Sequence, residues 1–141
     1  MEFSKILVPV SGTEADGEAM RLACVLAKRN KAKIYAVYVI AIKRSLPLEA
    51  EVESEIRKGE EILEHIENIA EEQDYEVETD LLQAREVAPT IVDEIVERNI
   101  DLVLMGIIYG TRFGQFSLGN VVTYVLKNAP CRVILYHQQA I

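Results

Sequence analysis

Four glycines fall within one stretch, Gly106-Ile107-Ile108-Tyr109-Gly110-Thr111-Arg112-Phe113-Gly114-Gln115-Phe116-Ser117-Leu118-Gly119-Asn120. Glycine accepts positive φ and lets a ligand come close to the backbone. Asn120 then opens a helical segment, and the free N–H groups and dipole at a helix start favour an anion such as phosphate. A loop built this way has the chemistry to cradle the phosphates of a nucleotide. Arg112 is the one basic residue inside it, placed to reach a phosphate, and Thr111 and Ser117 add hydroxyls of a kind common in any loop. It is not a Walker A loop, because no Gly-Lys-Ser/Thr occurs, and it is not a dinucleotide fingerprint. A connection that only turns the chain and caps a helix has the same composition.

Other chemistry is thinly represented. His65 reads as part of the charged face of a long helix, and His137 lies at the end of the last strand. Neither has a His, Cys or carboxylate partner at metal-ligand spacing. Cys24 and Cys131 are too few and too far apart for a disulfide framework, so they read as reduced, mostly buried thiols. Ser11 as a nucleophile would need a base, and no histidine falls near the crevice described below. No catalytic or metal-ligating residue is assigned, and an enzyme is not expected.

The elements that must position the loop alternate along the chain. Ile6-Leu7-Val8-Pro9-Val10 is a continuous apolar run, as a strand covered on both faces should be. Glu14 to Arg29 carries Ala19, Met20, Ala23, Leu26 and Ala27 at helical spacing. Ile34 to Ile40 is a second buried strand, residues 49–73 a long surface helix, and Glu76 to Asp80 a strand with one wet face. A helix over Glu86 to Arg98, a strand over Asp101 to Met105, the loop over 106–119, a helix over Asn120 to Lys127 and a strand over Cys131 to His137 complete the series. Such alternation predicts an α/β fold, one open five-stranded parallel sheet with helices on both faces. Right-handed crossovers, with the polar third strand at an edge, give the order 3-2-1-4-5. The topological switch point then falls between strands one and four, where ligands bind at the carboxyl ends. Pro9-Val10-Ser11-Gly12 and Met105-Gly106 onward line that crevice.

Composition narrows the setting. The chain has 141 residues, half of them hydrophobic and 27% charged, enough for one core and one domain spanning 1–141. Its net charge of −8 argues against sequence-independent nucleic-acid binding, which depends on neutralising phosphates. The longest unbroken apolar run, Ile34 to Ile42, has nine residues, well short of the roughly 20 a membrane helix needs. With no secretory signal at Met1-Glu2-Phe3-Ser4-Lys5, the expected location is the cytoplasm. The last strand, Arg132-Val133-Ile134-Leu135-Tyr136, has no later segment to cover it, and such edges pair. A homodimer through this strand is expected.

Three stretches resemble the universal stress protein family: Lys5-Ile6-Leu7-Val8-Pro9-Val10 with Ser11-Gly12-Thr13, Asp101-Leu102-Val103-Leu104-Met105-Gly106 with the loop to Gly119, and Asn128-Ala129-Pro130-Cys131-Arg132-Val133-Ile134-Leu135. The resemblance covers essentially the whole chain. It implies a Rossmann-like, adenine nucleotide alpha-hydrolase-like sheet, a dimer, and a regulatory protein of stress response that binds ATP or AMP, with magnesium, in some members and no nucleotide in others. Nucleotide-binding members carry Gly, two residues, Gly, nine residues, then Gly-Ser or Gly-Thr. The 13 steps from Gly106 to Gly119 match that span. Tyr109 stands at the second glycine with Gly110 one place late, Asn120 replaces Ser or Thr, and Ser11 replaces an acid. The resemblance places adenine against Val10, Val39 and Met105, with Pro9 and Ser11 flanking the nucleoside. Phosphates would lie over Gly106, Gly119, Asn120 and Val121, near Tyr109, Gly110 and Arg112. Asn120 caps a helix well and its amide can donate to phosphate. Tyr109 would be strained where positive φ is needed. It either fills the phosphate end, leaving a dimeric interaction protein with a closed crevice, or swings out so that Gly110 serves.

Overall fold

Apolar, β-branched runs without polar alternation form the centre of the sheet, because strands covered on both faces gain nothing from polar side chains. The computed structural model describes residues 3–109 and 119–139. Its elements are β1 (Lys5–Pro9), α1 (Glu14–Lys28), β2 (Lys33–Ala41), α2 (Glu53–Glu72), β3 (Glu78–Ala84), α3 (Val87–Arg98), β4 (Leu102–Tyr109), α4 (Asn120–Asn128) and β5 (Arg132–Gln139). All four strand pairings are parallel, and the order is β3-β2-β1-β4-β5. This is the doubly wound, Rossmann-like sheet that the alternation predicts. Ile6, Leu7 and Val8 of β1 and Leu102, Val103 and Leu104 of β4 are fully buried. β3 is half-exposed at one edge, as its alternating charges require.

Two apolar layers sandwich the sheet. On one face, Ala19, Met20, Ala23 and Ala27 of α1 pack with Leu63, Ile66 and Ile69 of α2 over Ile6, Val8, Ile34 and Leu104. On the other, Ile91 and Ile95 of α3 and Val122 and Val125 of α4 cover Leu7, Val37, Val103 and Met105. The row of alanines on α1 brings that helix close to the strands. Arg98 secures α3 to the β3 edge: its guanidinium meets Glu94 at 3.1 Å and Asp80, and lies 4.7 Å over the Tyr35 ring. Among the described residues, no helix is long and apolar enough to cross a membrane.

Several boundaries differ from the sequence expectation, and four of them have a local cause. β4 does not end at Met105 but continues to Tyr109, because β5 extends to Gln139 and the two stay paired, Gly106 with Tyr136 and Tyr109 with Gln139. The first four positions of the expected loop are therefore strand. β3 runs over Glu78–Ala84 instead of Glu76–Asp80, since β2 offers partners through Ala41, and the Ile42 amide donates to the Ala84 carbonyl at 2.7 Å. α2 starts at Glu53, not 49, because the Gln83 amide holds the Leu48 and Ala50 carbonyls, each at 3.0 Å, in a loop. β5 begins at Arg132, after the turn at Pro130.

Candidate functional site

The switch point forms where β1 and β4 lie side by side but send their chains to opposite flanks, β1 by α1 to β2 and β4 by α4 to β5. Two helix N-termini consequently open at the carboxyl ends of these strands. The turn from β1 into α1 is Val10-Ser11-Gly12-Thr13, and Val10 remains tied to the sheet through its N–H to the Val37 carbonyl at 2.9 Å. Gly12 has φ +95°, a left-handed conformation suited to glycine. Ser11, Gly12 and Thr13 donate their N–H groups to the Asp16 carboxylate. Asp16 is buried, and burial lifts its carboxyl above the ordinary carboxylate range while the three N–H donors pull it back. Thr13-x-x-Asp16 just before an apolar run is a capping-box spacing. That signal was readable in the sequence, and Asp16 is the site residue it would have supplied.

α4 begins differently. Its N-cap is Gly119, with φ +84°, and Asn120 is the first helical residue rather than the cap. A Cβ at Gly119 would meet nothing within 4 Å, so the space above this helix start is open as far as described residues reach. The first turn of α4 contains no acidic residue. Thr123 instead satisfies the Gly119 carbonyl, through its hydroxyl at 2.8 Å and its N–H at 3.2 Å. N–H groups at the start of a helix whose first turn carries no acid suit an anion.

The remaining expected residues fall into groups. Val39 and Met105 are buried in one apolar layer with Val122, and Val121 packs against that layer. Pro9 ends β1 and is buried, and Ser11 is exposed. Val10 belongs to the opposite layer, with Ile6 and Val8, and so is not on the same face as Val39 and Met105. Gly106 is tightly packed for a structural reason: a Cβ there would lie 2.2 Å from the Ala15 carbonyl oxygen of α1. Tyr109 is extended in β4, and no positive φ is demanded of it, so the expected backbone strain does not occur. Gly110 and Arg112 lie outside the described residues, as do Thr111, Gly114 and Ser117.

His65 is exposed on α2, as its charged surroundings suggest, and with Lys58, Glu61, Gly12, Thr13, Glu14 and Asp16 it lines a cavity of about 380 Å³ between α2 and the start of α1. A helix distant in sequence thus brings an imidazole to the turn that follows β1, which spacing alone does not reveal. Among the described residues, no group of three His, Cys, Asp or Glu side chains is placed to hold a metal ion.

Comparison with known proteins places this geometry. The family model described as the universal stress protein family matches residues 2–137. A universal stress protein of Methanocaldococcus jannaschii is 31% identical over 139 residues, covering 94% of this chain and 81% of the relative. Among solved structures, a universal stress protein from Archaeoglobus fulgidus superposes with a TM-score of 0.80 at 22% identity, covering 94% of this chain and 97% of the other. The Archaeoglobus fulgidus universal stress protein in complex with dAMP has a TM-score of 0.72 at 23% identity, covering 96% and 98%. At these identities the two superpositions establish the fold alone.

Proposed function

Because the chain belongs to the universal stress protein family, we propose that it is a dimeric, cytoplasmic regulatory protein that binds an adenine nucleotide, AMP or ATP, in the crevice between the carboxyl ends of β1 and β4. The observation that carries this reading is the start of α4: a glycine at φ +84°, open space where its side chain would be, and a first turn without acids. A relative of the same fold that binds dAMP supports the class of ligand. The phosphates lie over Gly119, Asn120 and Val121, with Gly106 beneath and Gly110 and Arg112 following in sequence. The adenine rests against Val39 and Met105, with Pro9 and Ser11 at the nucleoside and Val10 behind the turn. With ATP, magnesium arrives on the phosphates, since the described residues offer no cluster of their own to hold it. The protein's part is to bind and orient, and no residue is assigned to bond cleavage.

β5 is the second sheet edge, and Val133, Ile134, Leu135 and Tyr136 are only half-buried in the single chain. Antiparallel pairing with the same strand of a second copy removes both edges about a two-fold axis. Light scattering at micromolar concentration should give the mass of a dimer, and a monomer mass would overturn this part. The nucleotide reading is tested by mass spectrometry of small molecules released from protein purified without added ligand. Co-purified AMP or ATP is the expected result. If no nucleotide is released and none binds on titration, the chain is instead an interaction protein whose crevice Tyr109 closes.

A further inference from the structure

The two helices that begin beside the crevice carry opposite charge patterns. The first turn of α1 holds two acids, Glu14 and Asp16, and that of α4 holds none. Asp16 is only 2% exposed. Its carboxylate accepts N–H groups from three successive residues: Ser11 at 3.1 and 3.2 Å, Gly12 at 2.7 Å and Thr13 at 3.0 Å. Successive backbone N–H groups converging on one point, around a glycine at φ +95°, make the concavity that in other proteins captures a phosphate oxygen. In this chain the concavity is already filled by an anion of the chain itself.

The geometry points to Asp16 as the residue that fixes the orientation of a bound nucleotide: by claiming the three N–H donors of the β1–α1 turn, its carboxylate leaves that turn to the uncharged nucleoside and directs phosphates to α4. This rests on the nucleotide reading above and adds to it the cause of the ligand's direction. Two effects act together. A phosphate entering the turn finds its donors already occupied, and it meets a like charge in a place where little water screens the repulsion. Capping α1 would need only the bond to Thr13. The further bonds to Ser11 and Gly12 extend the occupied region along the turn between β1 and α1. Glu14 and Glu61 join Asp16 in the cavity beside the turn, against Lys58 and His65, so its acids outnumber its lysine and add to the repulsion of an anion.

Inorganic phosphate titrated into ¹⁵N-labelled full-length wild-type protein and Asp16→Ala, read at the Ser11, Gly12 and Thr13 amides, tests this. In the variant the three amides should shift saturably, and formate, small enough for the vacated space, should suppress the response. In wild type they should not move. Wild-type amides that respond like the variant's, or a folded variant whose amides ignore phosphate, would overturn the assignment. If Asp16→Ala does not fold, Asp16→Ser replaces it, and failure of both to fold makes the carboxylate purely structural and overturns the proposal. Adenosine titrated into wild type separates the two readings. If it moves no crevice amide, the nucleotide reading falls and the orientation with it. If it shifts the α4 start instead of Ser11–Thr13, only the orientation falls.

Discussion

Replacing Gly106 by alanine should damage the packing of α1 on β4 before any ligand is involved. The added Cβ would lie 2.2 Å from the Ala15 carbonyl oxygen and 2.5 Å from its carbon, where ordinary contact begins at 3.4 Å. Both are backbone atoms, so no side chain can turn away and the helix itself must retreat by about 1 Å. Ala15, Ala19, Ala23 and Ala27 are fully buried along the same helix, and its retreat opens gaps along that row. Overpacking of a core costs about 1–3 kcal/mol, and a backbone obstacle argues for the upper end. Loss of unfolded-state freedom returns about 0.4–1 kcal/mol, leaving a net cost of about 2 kcal/mol. The unfolding entropy of a 141-residue chain is about 0.3 kcal/mol/K. The midpoint of thermal unfolding should therefore fall by about 7 °C. Gly119→Ala is the contrast: nothing crowds its Cβ, but φ +84° with ψ 163° is a conformation almost confined to glycine, and the strain costs about 1–3 kcal/mol from backbone alone. Calorimetry on the three proteins without ligand decides the matter. A Gly106→Ala midpoint within about 2 °C of wild type would refute the packing role assigned to this glycine.

Arg98→Ala removes the ion pairs to Glu94 and Asp80 and the contact with Tyr35. Stability should fall by about 1 kcal/mol, and by less at about 1 M salt; chemical denaturation at two salt concentrations checks both. Tyr109→Gly should leave ATP affinity near that of wild type in calorimetry with magnesium, and binding gained only in the variant would mean that the tyrosine closes the crevice. Burial pushes both thiols above their ordinary value of 9.0, with Lys28 pulling back at Cys24 and Asp101 adding at Cys131. Protonated at neutral pH, they should alkylate slowly, faster as pH rises past 9.0. Mass spectrometry should find half-buried Cys131 modified first and buried Cys24 only after unfolding.

Strand order was legible because each crossover leaves few choices: a wet third strand must lie at an edge, and right-handed connections do the rest. The end of β4 was not. Gly106 and Gly110 suggest a loop, but what keeps residues 106–109 extended is the opposite strand, β5, and pairing between segments thirty residues apart leaves no local mark. Of the candidate site, the α4 start was readable from Gly119-Asn120, whereas Val39 and Met105 came only from the family resemblance; the structure buries both in one layer. Val10 was misjudged as their neighbour because β1 ends at Pro9, and the parity of Val10 directs it into the other layer. Asp16 was overlooked because a charged residue early in a helix reads as solvated, although Thr13-x-x-Asp16 carries a capping signal. His65 is exposed on α2 as expected, but its nearness to the β1–α1 turn was not legible, because those neighbours come from a helix distant in sequence.

The most direct test of the proposed function is calorimetric titration of AMP into wild-type protein and into Gly119→Val. Val at φ +84° both strains the helix start and fills the open space above it, where the phosphate is proposed to lie. Wild type should bind saturably, one nucleotide per chain, and the variant, with its circular dichroism unchanged, should not bind. No binding by wild type, or equal affinity in a folded Gly119→Val protein, would contradict an adenine-nucleotide crevice at the start of α4.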